Sequence, residues 1–199
     1  MNKLHQIKSY FKFLKRSTNQ HGVHSPFVFD LVTKCFYDTQ NYSEYSKIKS
    51  YRKQLLNNAS IINVTDLGSG SQVFKTNTRQ VSKMANVAGS SIKEAKLLFR
   101  LSHYFQCNSI LELGTSLGIA TQALHYGNPK ANIITIEGCP NISTFTKQNF
   151  NNFNLKNIEI ITGNFKTILP NLKSNTYDLV YFDGNHQKEA TLSYFETLL

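Results

Sequence analysis

Apolar and polar positions alternate with two different periods along this chain. Near the start, Leu4, Ile7, Phe11 and Leu14 recur at helical spacing with Lys3, Lys8, Lys12 and Lys15 between them. That spacing predicts an amphipathic basic helix, expected to dock its apolar face on its own domain. Ser25 followed by Pro26 gives a helix start, because the serine hydroxyl can accept from a free N–H and proline suits the first helical position. A helix is expected from Pro26 to about Phe36. Tyr42–Leu56 is a further predicted helix, with Tyr45, Ile48, Tyr51 and Leu55 on one face. The β-branched run Ser60–Asp66 predicts a strand that could extend the main sheet, and Thr78–Val87 a helix. Ser91 and Glu94 fit a capping box opening a helix that runs through about Phe105.

From Ser109 the period changes. Ser109–Leu113, Asn132–Ile136, Ile158–Thr162 and Asp178–Phe182 are short apolar runs that predict strands. Helical stretches separate them at Ile119–Tyr126, Ile142–Asn151, Phe165–Leu169 and Glu189–Leu198. Strands alternating with helices imply an α/β fold, a Rossmann-like doubly wound and mostly parallel sheet. The division expected is a basic helical extension over residues 1–59 and a sheet domain over 60–199, with its core in 90–199.

Composition narrows the class. Hydrophobic residues make up 40% of the 199, enough for a packed core. No run approaches the ~20 apolar residues of a membrane span, and the N-terminus lacks the features of a secretory signal. Cys35, Cys107 and Cys139 are too far apart in sequence to suggest a metal pair, and an odd number closes no disulfide framework. Free thiols in a reducing cytoplasm are expected. The net charge of +10 is uneven, since residues 1–60 carry ten Lys and Arg against Asp30, Asp38 and Glu44. Such a basic extension favours nucleic acid, anionic lipid or acidic partners, or is a solvated lysine-rich face.

Two glycine loops compete for a ligand. Asp66-Leu-Gly-Ser-Gly70 leads into a polar stretch. Glu112-Leu-Gly-Thr-Ser-Leu-Gly118 follows a strand and opens a helix, and Glu137 lies at the end of the next strand. In doubly wound folds an acid there accepts hydrogen bonds from ribose hydroxyls. The G-x-G-x-x-G positions from Gly114 hold Gly114, Ser116 and Ile119, so the dinucleotide fingerprint fails, and no phosphate-binding G-x-x-x-x-G-K-[ST] loop occurs. A nucleoside without phosphates fits better.

The segment LELGTSLGIAT resembles the first motif of class I S-adenosylmethionine-dependent methyltransferases, in the branch of catechol and caffeoyl-CoA-type O-methyltransferases. ITIEGCP, IEIITGNFKTILPNL and YDLVYFDGNH resemble the next three motifs in order, over roughly Ser90–Leu199. GVHSPFVFD with DLGSGS is similar to N-terminal regions of uncharacterised bacterial members. The resemblance implies S-adenosylmethionine as cofactor. Glu112 and the turn Gly114, Thr115, Ser116 and Gly118 would hold its methionine part. Glu137 with Gly138 would hold the ribose, and Gly163, Asn164 and Phe165 the adenine side. Asp183 would face both cofactor and acceptor, and His186 stands where that branch often has a lysine base.

That branch uses the acid at Asp183 as one ligand of a divalent cation. The usual second and third ligands come after the next strand, so Asp183 alone leaves a metal unsupported. Asn185 is a candidate cap for the last helix. His21 and His24 form a loop that could close over a substrate but is more simply structural. The activity implied is methyl transfer to an oxygen of a small-molecule acceptor. Rival readings are an RNA methyltransferase using the basic extension, without the N/D-P-P-Y/F motif of base N-methylation, and a non-catalytic cofactor-binding or assembly module. Four strands fall short of the seven in that family's sheet. The chain is therefore expected to be C-terminally truncated or completed by a partner, with a homodimer as one form of completion.

Overall fold

In the computed structural model, which describes residues 3–17, 19–65, 76–173 and 175–199, the main sheet is built by side-chain alternation. Strand residues two apart face the same side of a sheet. Ile110 and Ile133 join one buried cluster, while Leu111, Leu113 and Ile136 join another on the opposite face. Strands apolar on both faces need helices on both faces, as a parallel sheet does.

The chain divides into two compact units, residues 1–39 and 40–199. The first contains α1 (Lys3–Arg16), a 3-10 turn (Gln20–Gly22), α2 (Pro26–Asp30) and a π-helical continuation (Leu31–Phe36). The single helix expected over Pro26–Phe36 therefore changes its hydrogen-bond pattern at Leu31. Ser25 accepts from the Val28 N–H as the start signal requires. The apolar residues of α1 are exposed, where the sequence led us to expect them covered.

The second unit contains α3 (Glu44–Leu56), β1 (Ile61–Asn63), β2 (Thr78–Gln80), α4 (Val81–Val87), α5 (Ile92–Tyr104), β3 (Ser109–Leu113), α6 (Ile119–Gly127), β4 (Asn132–Glu137), α7 (Pro140–Asn152), β5 (Ile158–Thr162), α8 (Phe165–Leu172), β6 (Leu179–Phe182) and α9 (Lys188–Leu198). The four-stranded sheet runs β5-β4-β3-β6, with every neighbouring pair parallel. Residues of α3 to α7 pack in the cluster on one face, and residues of α8 and α9 in the cluster on the other. The winding reverses between β3 and β6, and ligands of such sheets bind in the crevice at the strands' carboxyl ends there.

Three elements differ from expectation. Of the strand expected over Ser60–Asp66, the described residues 60–65 do not join the main sheet. The central residues of that strand pair antiparallel with β2, Ile61 opposite Gln80 and Asn63 opposite Thr78. Thr78–Gln80 is captured as that partner strand, so the helix begins only at Val81, a case of pairing overriding local helix tendency. The strand pair is tied to the start of α7, where the Asn141 amide donates to the Asn63 carbonyl at 2.7 Å. Helix α8 continues through Pro170 to Leu172, beyond the expected end at Leu169. Helix α3 belongs to the larger unit, with Tyr45, Ile48, Tyr51 and Leu55 buried in its core. Among the described residues no helix is long and apolar enough to cross a membrane.

Candidate functional site

The turn after β3 departs from right-handed backbone three times. Gly114 has φ +108°, Ser116 +48° and Gly118 +74°. A Cβ at Gly114 would stand 2.6 Å from the Asp183 carbonyl oxygen, and one at Gly118 would collide with the Phe150 ring. Only glycine meets both demands, a left-handed conformation and a backbone in close contact. Ser116 occupies the position where the dinucleotide fingerprint has its second glycine, yet its backbone is left-handed too, a strain of the kind stored at functional sites.

The surrounding structure holds this turn in place. The Gly114 and Thr115 N–H groups donate to the Ile136 carbonyl at 2.9 and 3.2 Å. The Tyr51 hydroxyl, on α3, donates to the Leu117 carbonyl at 2.8 Å, and the Thr146 hydroxyl, on α7, to the Ser116 carbonyl at 2.7 Å. A small, open cleft lies beside the turn, with Ser90, Thr115, Ser116 and Asp183 among its walls.

Three carboxyl groups converge on this region from three strand ends. Glu112 is fully buried on β3. Its Oε2 accepts from the Thr121 and Thr135 hydroxyls at 2.5 and 2.6 Å. Thr135 is thus committed as a donor, so Thr115 must be the donor in its 2.7 Å contact with Thr135. The other oxygen, Oε1, is buried with no hydrogen-bond partner. Burial pushes the Glu112 carboxyl up to about 8; the two threonine donors act against this, while the charges of Asp183 and Glu137 add to it.

Glu137 ends β4. Its Oε2 accepts from the Ser116 N–H at 2.8 Å and its Oε1 from the Cys139 N–H at 2.9 Å. The carboxylate therefore fixes the glycine turn to the start of α7.

Asp183 follows β6. Its backbone N–H donates to the Leu113 carbonyl at 2.9 Å, beside Gly114. Burial raises its carboxyl; the neighbouring His186 and a hydrogen bond from Tyr181 oppose that rise, and Glu94 adds to it. Burial, followed by the charges of Asp183 and Glu112, raises the Tyr181 hydroxyl. His186 is exposed. On the other side, Gly163 donates its N–H to the Glu137 carbonyl at 2.9 Å, Asn164 caps α8 through the Lys166 N–H, and the Phe165 ring lies against Gly184. Gly138 sits between Glu137 and Cys139 in the same loop.

The structure thus brings Glu112, Gly114, Thr115, Ser116, Gly118, Glu137, Gly138, Gly163, Asn164, Phe165 and Asp183 to the carboxyl edge of one sheet. Asn185 does not cap α9. Its amide instead donates to the Tyr194 hydroxyl at 2.9 Å, and Gln187 takes the cap position without a side-chain bond. His21 and His24 lie in the smaller unit, both exposed. The loop Asp66–Gly70 lies outside the described residues. Among the described residues, no group of three or more His, Cys, Asp and Glu side chains is placed to hold a metal ion. Sequence reasoning missed Tyr51, Thr121, Thr135 and Thr146 as supports of the site. Their helical or strand periodicity signals burial but carries no sign of the partner.

Comparison with known proteins shows what the chain is similar to. Residues 111–199 match the model of a family described as a methyltransferase domain. Catechol O-methyltransferase of Mycobacterium tuberculosis is 28% identical over 108 residues, 53% of this chain and 48% of that protein. The structure of the methyltransferase PaMTH1 of Podospora anserina, bound to S-adenosylhomocysteine (SAH), superposes with a TM-score of 0.58 at 17% identity, covering 92% of this chain and 66% of that one. The O-methyltransferase of Bacillus cereus in complex with SAH gives 0.53 at 18% identity, covering 86% and 66%. The chain spans about half the length of the curated relative it matches. Its α/β sheet has the Rossmann-like fold of these methyltransferase structures, and residues 111–199 match a methyltransferase domain.

Proposed function

We propose that this chain binds S-adenosylmethionine along the carboxyl edge of β3, β4 and β6 and serves methyl transfer to an oxygen of a small-molecule acceptor. One observation carries the reading: an acidic side chain, Glu137, stands at the tip of β4 beside the glycine turn, held there by the Ser116 and Cys139 N–H groups, and in doubly wound sheets an acid at that place meets ribose hydroxyls. The unpartnered Glu112 Oε1 supports it, since a buried acceptor calls for a donor and the ammonium of the methionine part supplies one. The glycine turn over Gly114–Gly118 leaves room for that part, Gly138 flanks the ribose, and Gly163, Asn164 and Phe165 border the adenine. None of these groups asks for a phosphate.

The cofactor, when bound, supplies an activated methyl group. The chain's own residues have two tasks, to hold the acceptor in line and to remove its proton. His186 takes the hydroxyl proton on its imidazole, and Asp183, whose charge it feels, steadies the imidazolium formed. No step is assigned to a metal. Three buried free cysteines suit a reducing compartment, and we place the protein in the cytoplasm.

Isothermal calorimetry with SAH tests the cofactor half. Wild type is expected to bind, and Glu137→Ala to bind at least about tenfold more weakly, since a hydrogen bond to a charged group contributes about 1.5–3 kcal/mol. Absence of heat with the wild type would defeat the proposal.

A further inference from the structure

Helix α1, Lys3–Arg16, carries an exposed apolar stripe beside an exposed cationic one. At about 100° per residue, Ile7, Tyr10, Phe11 and Leu14 share an arc of about 100°, and Lys8, Lys12, Lys15 and Arg16 occupy the adjoining arc. The helix contains no acidic residue. The four apolar residues are 47–59% exposed, and Phe13 is 61% exposed. Tyr10 keeps both neighbouring aromatics close, with ring centroids 6.4 Å from Phe11 and 6.5 Å from Phe13.

Two features together select the partner. A contiguous apolar stripe in water marks a surface that something covers. The flanking cations make that covering surface negative. Nucleic acid would satisfy Lys8, Lys12, Lys15 and Arg16 but leave Ile7, Phe11 and Leu14 in water. A neutral bilayer would take the stripe and leave the cations without counter-charges. An anionic bilayer surface engages both, with aromatic rings at headgroup depth and basic side chains against lipid phosphates. At 14 residues the helix is about 21 Å long, too short and too charged to span but suited to lying flat.

We propose that α1 is an interfacial helix that seats this chain on anionic lipid surfaces, inserting Ile7, Tyr10, Phe11 and Leu14 while Lys8, Lys12, Lys15 and Arg16 contact the headgroups. This rests on α1 alone and is independent of the cofactor reading.

Co-sedimentation of the full chain with vesicles tests it. The chain is expected to bind phosphatidylcholine vesicles containing about 30% phosphatidylglycerol and to bind pure phosphatidylcholine at least tenfold more weakly. Raising salt to about 0.5 M weakens the anionic binding. Two variants are each expected to lose at least tenfold, Lys8→Glu with Lys12→Glu through charge and Ile7→Asp with Phe11→Asp through insertion. A circular dichroism spectrum and thermal unfolding midpoint unchanged from wild type in both variants serve as the fold control. If wild type ignores the anionic vesicles, the proposal is overturned without any variant. It is equally overturned if the Ile7→Asp/Phe11→Asp variant sediments like wild type while a single-stranded RNA competes for the cations. Self-association that these aspartates abolish, with no vesicle binding, would assign the stripe to a second copy instead.

Discussion

Glu112 is the residue whose environment is most at odds with its chemistry. It is wholly buried, two threonines bond one oxygen, and the other has no partner. Burial disfavours the anion, and this outweighs the two donors, so the carboxyl is pushed up to about 8. The consequence for stability has a definite sign. Between the ordinary carboxylate value near pH 4.5 and about pH 8, the folded chain holds a proton that the unfolded chain has released. Stability therefore falls as pH rises through that window, by at most about 1.4 kcal/mol per pH unit for one proton. Glu112→Gln keeps the shape and cannot ionise, so its denaturation midpoints should fall less steeply than wild type from pH 5 to 8. Comparing the two proteins cancels every other titrating group. Parallel midpoint curves in urea would show that Glu112 is not the proton holder. A cationic donor placed at Oε1 would favour the anion, so the same carboxyl is also expected to release a proton when such a ligand binds.

At the scale of elements, the glycine turn depends on helices far away in sequence. Tyr51 on α3 reaches the Leu117 carbonyl and Thr146 on α7 the Ser116 carbonyl. Tyr51→Phe keeps the packed ring and removes only the hydroxyl, leaving a buried carbonyl without its donor. Such losses cost about 1–3 kcal/mol. We expect a lower unfolding midpoint and weaker SAH binding from this one oxygen, checked by thermal melts with and without SAH. A melt equal to wild type would show that water or another donor replaces it.

The same elements show what could be read in advance. Strands β3 to β6 and helices α6, α7 and α9 were legible because each carries its own period, and a sheet buried on both faces makes that period strong. The site's acids were legible because strand ends are marked by glycine and by the change of period. The three residues Thr78–Gln80 were not, since only pairing with Ile61–Asn63 makes them a strand. Ser116 was misleading in another way. As a serine it breaks the glycine fingerprint, but its backbone is held left-handed by the Glu137 bond and the Thr146 hydroxyl, neither of which is visible in local sequence. Asn185 was assigned a cap because it precedes a helix, whereas Tyr194, one helix face away, takes its amide.

For the molecule as a whole, the groups proposed to touch the cofactor all lie between Glu112 and Asp183, along four parallel strands. Holding the cofactor and performing turnover are separable demands, because acceptor residues need not come from the same strands. Cofactor binding can therefore be tested on the 199-residue chain by itself. A ligand that binds only the folded state stabilises it by about 2.7 kcal/mol at a hundred times its dissociation constant. For a chain of this size that corresponds to a rise of roughly 5–10 °C in the unfolding midpoint. SAH is expected to produce such a rise in wild type and a much smaller one in Glu137→Ala at the same concentration. NAD should produce none, because the turn offers no G-x-G-x-x-G path for a pyrophosphate. Differential scanning fluorimetry with both ligands separates the cases. Equal shifts with SAH and NAD would mean that the turn recognises adenosine alone, and the methionine role given to Glu112 and Gly114 would have to be abandoned.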